Sequence, residues 1–452
     1  MTECIESSFE FGRHFSREVV ARFDGGQMTS DAGALLLRQT DRRLNLLPRL
    51  AACFVDGRNP WLIQHTVHEL VAQRIYGLAL GYEDLSDHDQ LRQDPLLGVL
   101  SGKPQAGAEA LAGKSTLNRL ELSTAEPSRY KKIHYQQEQI DELLVAVFLE
   151  GHARAPERIV LDLDVTDLAL HGHQEGRFFH GYYDSYCYLP LYIFAGEQLL
   201  CARLRTADQD ASAGSPAEVE RIVGQIRKRW PKVEIIVRAD SGFCREELLK
   251  WCEDHAVSYV VGMARNDRLR GLIEPQMQEA AQQHAQSGKP ARVFTEFDYQ
   301  TTTGSWSRAR RMVAKCERIE GKENPRYVVT NLSPEQWPAQ PLYEELYCQR
   351  GDMENRIKEQ FSLFAGRVSA ETRCANQLRL YFSALAYVLL EGMRRLGLKG
   401  TDMARAQVAT IRLQLLKVGA QIRITARKVW VSMASSYPYQ FLFQRAYQQL
   451  LS

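Results

Sequence analysis

The stretch that decides the fold begins Ile159-Val-Leu-Asp-Leu-Asp-Val-Thr166 and closes with Val233-Glu-Ile-Ile-Val-Arg-Ala-Asp240 and Val257–Met263. Each of these is a short run rich in β-branched and apolar residues, as a buried strand requires. Two further strands are expected near Tyr188–Ala195 and Leu199–Arg205, joined by the turn-forming Gly196-Glu197. Ser215-Pro-Ala-Glu218 then carries helix-start chemistry, with Ser expected at the cap, Pro in the first turn and Glu three residues on. Val219, Ile222, Val223, Ile226 and Trp230 continue that helix on one face until Pro231 stops it. A second short helix is expected over Arg245–His255. Three adjacent strands pair as a meander, whereas helical crossovers demand parallel neighbours. The expectation is a mixed five-stranded α/β sheet with flanking helices.

Outward from this core, residues 1–156 read as a separate, mostly helical region, with helices at Gly33–Thr40 and Trp61–Leu78. Core segments 157–265 and 340–375 bracket a strand-rich insertion, 266–339, with strands at Arg292–Tyr299, Arg310–Glu317 and Arg326–Thr330. A long helix is expected from Leu342 to Phe364, and a C-terminal module, 376–452, has a strand pair around Ile422–Met433. That module holds eleven Lys or Arg against Glu391 and Asp402, a net +9 that leaves −7 for the rest of a chain totalling +2. A basic module beside an acidic one points to a polyanion partner next to a carboxylate-bearing site.

Composition closes other routes. At 452 residues, 44% hydrophobic and 25% charged, the chain is long enough for roughly two to four ordinary globular domains. Nine cysteines, odd in number and without a Cys-x-x-Cys pair, argue against a disulfide framework or structural zinc and for a reducing cytoplasm. His171, His173 and His180 lack further ligands at zinc spacing. The opening Met1-Thr-Glu-Cys-Ile-Glu6 has no leader-like profile, and the apolar run Leu380–Leu390 is too short to span a bilayer.

The carboxylates fall where an α/β sheet places chemistry. Asp162 and Asp164 share one face of their strand, and Asp240 ends a parallel strand, the end at which such sheets bind ligands. Two carboxylates about 4 Å apart would repel by roughly 4 kcal/mol at an effective dielectric of about 20, so they call for a cation. All-oxygen donors favour Mg²⁺ or Mn²⁺. On the expected long helix, Tyr347, Arg350, Glu354 and Lys358 line one stripe beside the apolar Leu346, Met353 and Ile357.

The strand–helix order is the one found in the ribonuclease-H-like fold, and three motifs carry a closer resemblance. Asp164-Val-Thr166, Arg238-Ala-Asp240-Ser-Gly-Phe243 and Tyr347-Cys-Gln-Arg350-Gly-Asp-Met-Glu354 resemble, in order, the three acidic blocks of DDE insertion-sequence transposases. The 113 residues between Asp240 and Glu354 fit the strand-rich insertion of that group. The runs Gln174–Leu191, Tyr347–Glu359, Gly81–Asp89 and Ser115–Glu121 are similar to the thirteen-eighty group of insertion sequences, over nearly the whole chain.

This resemblance implies a transposase that cuts DNA at terminal inverted repeats and joins the ends to target DNA, acting as a homodimer on DNA in the bacterial cytoplasm; the alternatives are a ribonuclease-H-like nuclease or resolvase that cuts without joining, and a transposase-derived DNA-binding protein that no longer cuts. It implies Asp164, Asp240 and Glu354 as catalytic ligands of two Mg²⁺ ions, with Mn²⁺ able to substitute; Asp162 is the alternative first ligand. Tyr347, Arg350, Lys358, Arg394 and Arg395 are the expected DNA contacts, and residues 1–156 and the basic C-terminal module the expected terminal-repeat binders. Related groups carry Lys seven residues after the Glu; here that position is Phe361, and Lys358 is the substitute expected.

Overall fold

A computed structural model describes residues 8–104, 106–122, 129–301 and 304–452. The opening Met1–Glu6 read above lies outside the described residues. The chain divides into two compact units, one of Met1–Tyr135, Ser362–Phe364 and Leu385–Ser452, the other of Gln136–Phe361 and Ala365–Ala384. The N-terminal region and most of the basic module thus share a unit, and the strand-rich insertion belongs with the acidic core.

In the second unit, helix α1 (Gln137–Glu150) precedes strands β1 (Arg158–Val165), β2 (Leu191–Ala195) and β3 (Gln198–Arg203). Helix α2 (Ser215–Arg229), strand β4 (Glu234–Ala239), helix α3 (Glu246–Asp254) and strand β5 (Ser258–Met263) follow. β1 pairs antiparallel with β2 and parallel with β4; β4 pairs parallel with β5. The five expected strands therefore lie side by side in the expected senses. The sheet does not stop there. Helix α4 (Glu274–Ser287) and strands β6 (Ala291–Tyr299), β7 (Arg310–Ile319) and β8 (Arg326–Thr330) form the insertion. β8 hydrogen-bonds antiparallel to β5, so the sheet runs β3-β2-β1-β4-β5-β8-β7-β6 and, with a short strand at Lys322–Glu323, has nine strands rather than five.

Alternation along the strands separates core from site. Ile159, Leu161 and Leu163 of β1 and Ile235, Val237 and Ala239 of β4 bury one face against Val219, Ile222, Val223 and Ile226 of α2. Full burial of each such aliphatic side chain contributes about 1.5–3 kcal/mol. Asp162, Asp164 and Arg238 occupy the alternate positions and so face the other way. Helix α2 begins one residue earlier in its cap than expected: Gly214, at φ +72°, occupies the cap, and the buried Ser215 hydroxyl donates to the Ser212 carbonyl at 2.6 Å.

The segment expected to be one long α-helix is helical but changes pitch. A turn at Ala339–Pro341 opens into a π-helix over Leu342–Tyr347, tightens to 3₁₀ over Cys348–Arg350, and becomes α-helix α5 at Gly351–Ser362. Leu342, Tyr343 and Leu346 pack on Ile236, Val260 and Val328, the face of the sheet that carries the carboxylates. Wide-then-tight irregularities of this kind cluster at functional sites because they re-aim side chains.

The first unit holds helices at Ala34–Leu44, Leu46–Ala52 and Val67–Leu80. The last starts six residues later than expected, because Thr66 and Glu69 form a capping box. Two family-like runs meet there: buried Arg74 pairs with Glu121 and donates to the carbonyls of Tyr82 and Glu83. An antiparallel ribbon, Phe9–His14 with Arg17–Ala21, was not anticipated. The strand pair expected near Ile422–Met433 is present as Ala420–Ile424 and Val429–Met433. Among the described residues no helix is long and apolar enough to cross a membrane.

Candidate active site

Asp164 stands next to the carboxyl end of β1, buried to 9% exposure. Its Oδ1 accepts from the Val165 amide at 2.9 Å and its Oδ2 from Nη1 of Arg350 at 3.2 Å. Burial pushes this carboxyl up to about 6; Asp240 and Glu354 push the same way and Arg350 opposes them. Three negative groups are therefore within electrostatic reach of one another.

Asp162 is placed differently. In the parallel register it lies opposite Arg238, whose Nε and Nη2 bond its two oxygens at 2.5 and 2.7 Å. Arg238 Nη1 continues to the Leu346 carbonyl, tying the sheet to the π-helix. Burial raises the Asp162 carboxyl despite this partner. Of the two strand aspartates, Asp162 is bound up in a structural ion pair and Asp164 faces the other carboxylates.

Asp240 follows the last residue of β4, half-buried. It caps the 3₁₀ turn Ser241–Phe243, Oδ1 accepting from the Gly242 amide at 2.8 Å. Glu354, on the first turn of α5, is exposed and accepts from Nη2 of Arg350 at 3.4 Å. Lys358 is exposed one turn further on, and Phe361 is 40% exposed.

Arg350 is the hub. Burial works against its charge, but Asp164, Tyr347, Asp240 and Glu354 together hold the guanidinium's proton more tightly than usual. Tyr347 is half-buried with its hydroxyl over Gly262 of β5, where a Cβ would stand only 2.5 Å from it. Burial raises the Tyr347 phenol, with Arg350 opposing and Asp240 reinforcing the shift.

Between β1 and β2 the chain forms a three-stranded tongue of Leu168–Ala169, Phe178–His180 and Ser185–Tyr188. Sequence reading did not single out its Tyr183. Burial, then Asp167, Asp164 and Asp240, push that phenol up to about 12. The tongue leaves β1 beside Asp164 and re-enters at β2, where Tyr192 is the register partner of Asp164.

One expected DNA contact is corrected. Arg394 is 2% exposed, its Nη1 donating to the Ala406 carbonyl at 3.1 Å and its guanidinium over the Tyr387 ring. An interior guanidinium cannot meet a phosphate. Arg395 is half-buried and pairs with Glu391 at 3.1 Å on the same helix. A stretch this apolar packs Arg394 inside, which its charge alone does not reveal.

The donors of the site are carboxylate oxygens, suited in kind to a hard divalent cation. In arrangement they surround Arg350: among the described residues no three His, Cys, Asp or Glu side chains are close enough to hold a metal ion.

A family model described as transposase DDE domain group 1 matches residues 11–452. The chain belongs to the DDE transposases. Enzymes of this family use divalent metal ions. No curated protein matches this transposase. Among solved structures it is similar to piggyBac transposase in a synaptic complex with hairpin DNA, at 10% identity and a TM-score of 0.41, over 86% of this chain and 80% of the other.

Proposed function

We propose that the protein cuts DNA at the inverted-repeat ends of a mobile element of the thirteen-eighty group and joins those ends to target DNA. The strands β3-β2-β1-β4-β5 are read as a ribonuclease-H-like core, with the other unit as the terminal-repeat binder. The observation that supports this is the convergence of Asp164, Asp240 and Glu354, far apart in sequence, around one guanidinium at the carboxyl ends of two parallel strands.

Asp164, Asp240 and Glu354 would hold Mg²⁺, or Mn²⁺ in its place, with two ions as the number in this reading. A divalent ion there supplies Lewis acidity, making a water or 3′-hydroxyl a better nucleophile and stabilising the leaving oxygen. The protein's residues do the rest. Asp162 and Arg238 hold β1, β4 and the π-helix in register, so that the carboxylates keep their separation. Arg350, released from Asp164, offers two parallel donors to a phosphate. Tyr347 and Lys358 flank it on the same helix. No Ser, Tyr or Cys nucleophile is required. Two element ends handled together make a homodimer on DNA the expected assembly.

The test is incubation of the purified protein with Mg²⁺ and labelled DNA carrying the element's ends. End-specific cutting with joining supports the reading. Asp240→Ala and Glu354→Ala should each lower cutting at least about a hundredfold while end binding stays within a few-fold, a loss typical of removing an electrostatic stabiliser. Cutting that persists in both variants would sink the assignment.

A further inference from the structure

Where does the duplex sit, once Arg394 is withdrawn? From Met403 to Ser452 the chain carries seven Lys or Arg and no carboxylate. Three of the seven, Arg423, Arg427 and Lys428, cluster on the ribbon Ala420–Ile424 and Val429–Met433, and all three are exposed. Among the described residues none of the three forms an ion pair.

The ribbon is built with two unlike faces. Ala420 and Ile422 are buried, at 2% and 3% exposure. Their alternates point outward: Gln421 lies opposite Ser432 and Arg423 opposite Trp430. Trp430 is 46% exposed and bracketed by cations, Arg423 Cζ at 5.7 Å and Lys428 Nζ at 5.2 Å from its ring. The outward face therefore presents positive charge, a flat aromatic and short polar donors and acceptors together.

It is also held rigidly. Met28–Thr29 pairs with Ala420 and Gln421, and the Ile422 amide donates to the Gln27 carbonyl at 2.8 Å, so the third strand covers only the base. At the tip, the Thr425 amide donates to the Lys428 carbonyl at 2.9 Å, and the Lys428 amide to the Thr425 hydroxyl at 3.1 Å. That closes a two-residue turn on Ala426 and Arg427 and fixes the spacing of the charges.

We infer that this ribbon is a docking element for duplex DNA, and the inference rests on the transposase reading above. The charge is complementary to a phosphate backbone, and among the described residues no carboxylate pairs with it. A two-stranded ribbon is of a size the major groove admits. Arg423, Arg427 and Lys428 take phosphates, which set position, while the exposed Ser432 hydroxyl is able to bond a base edge; Gln421 Nε2 is held by the Gly25 carbonyl at 3.2 Å. The ribbon lies wholly within the unit that also holds the N-terminal helices.

The test uses the full chain in EDTA, a fluorescein-labelled mixed-sequence duplex, and anisotropy titrations over a range of salt. Each lost phosphate contact lowers the salt slope by about 0.9, so the triple variant Arg423→Gln, Arg427→Gln, Lys428→Gln should lose up to about 2.7. Near 0.1 M salt its affinity should fall at least about tenfold. The charge-keeping variant Arg423→Lys, Arg427→Lys should retain the slope, and thermal midpoints of both variants should match the parent. Unchanged slope and affinity in the triple variant overturn the ribbon and leave the carboxylate site standing. Preference of the parent for phosphatidylserine vesicles over the duplex overturns the ribbon as well. A parent chain that binds no duplex overturns both readings.

Discussion

Nη1 of Arg350 lies 3.2 Å from Oδ2 of Asp164. The two residues are 186 positions apart, and the contact brings a helix cation to the end of a buried strand. A buried carboxylate with two like-charged neighbours needs a positive partner, and Arg350 supplies one. The same guanidinium reaches Glu354, so Arg350 reports on the whole site.

Because the Asp164 carboxyl is raised from 3.8 to about 6, its ionisation opposes folding. Below about pH 4 it is protonated in both folded and unfolded chains, and stability is then greatest with respect to this group. As pH rises through about 6 that stability is lost. Asp164→Asn in EDTA should therefore be indistinguishable from the parent near pH 4 and more stable by about 2–3 kcal/mol near pH 8. Thermal midpoints at the two pH values measure it. A gain that is equal at both would show that Asp164 carries no such penalty.

Divalent metal should act with the opposite sign. Mg²⁺ competes with the proton for Asp164, so its stabilisation of the fold should grow as pH passes about 6. Asp164→Asn and Asp240→Asn should each remove most of the Mg²⁺-dependent rise in thermal midpoint. A rise of the same size in both variants and at every pH would place the metal elsewhere.

Arg238 and Asp162 make a different prediction, for stability alone. Arg238→Ala leaves Asp162 charged and buried at 4% exposure and frees the Leu346 carbonyl. Breaking a buried pair in this way typically costs about 3–5 kcal/mol. Denaturant unfolding should show that loss. Replacing both partners, as Asp162→Leu with Arg238→Met, should recover much of it. A double variant no better than Arg238→Ala would mean the pair is not an isolated unit.

The strands around this pair were legible because each is a short apolar run bounded by turn or cap chemistry, and the carboxylates stood out at strand ends. Two things were not. Nothing in residues 266–339 signals that β8 joins β5, since an edge is satisfied by any compatible strand and the pairing is non-local. The pitch changes at Leu342–Arg350 were hidden because the residue pattern is that of an ordinary helix; the distortion follows from packing Tyr343 and Leu346 on the sheet. Arg394 shows the same limit in reverse. Its charge suggested a surface, and its burial followed from the apolar helix around it.

Gly262 tests how closely the irregular helix must approach the sheet. A methyl there would stand 2.5 Å from the Tyr347 hydroxyl, with the Ser241 amide nitrogen at 3.0 Å and the Asp240 carbonyl carbon at 3.3 Å. Gly262→Ala must push Tyr347 away and press on the segment carrying Asp240, at a cost of about 1–3 kcal/mol. Tyr347→Phe removes the closest atom, so the double variant should be more stable than Gly262→Ala alone, though short of the parent because the backbone contacts remain. A double-mutant cycle by denaturant unfolding gives the coupling between the two positions directly. If Gly262→Ala is as stable as the parent, or if its cost adds independently to that of Tyr347→Phe, the phenol does not rest on β5 and the placement of Arg350 three residues later loses its support.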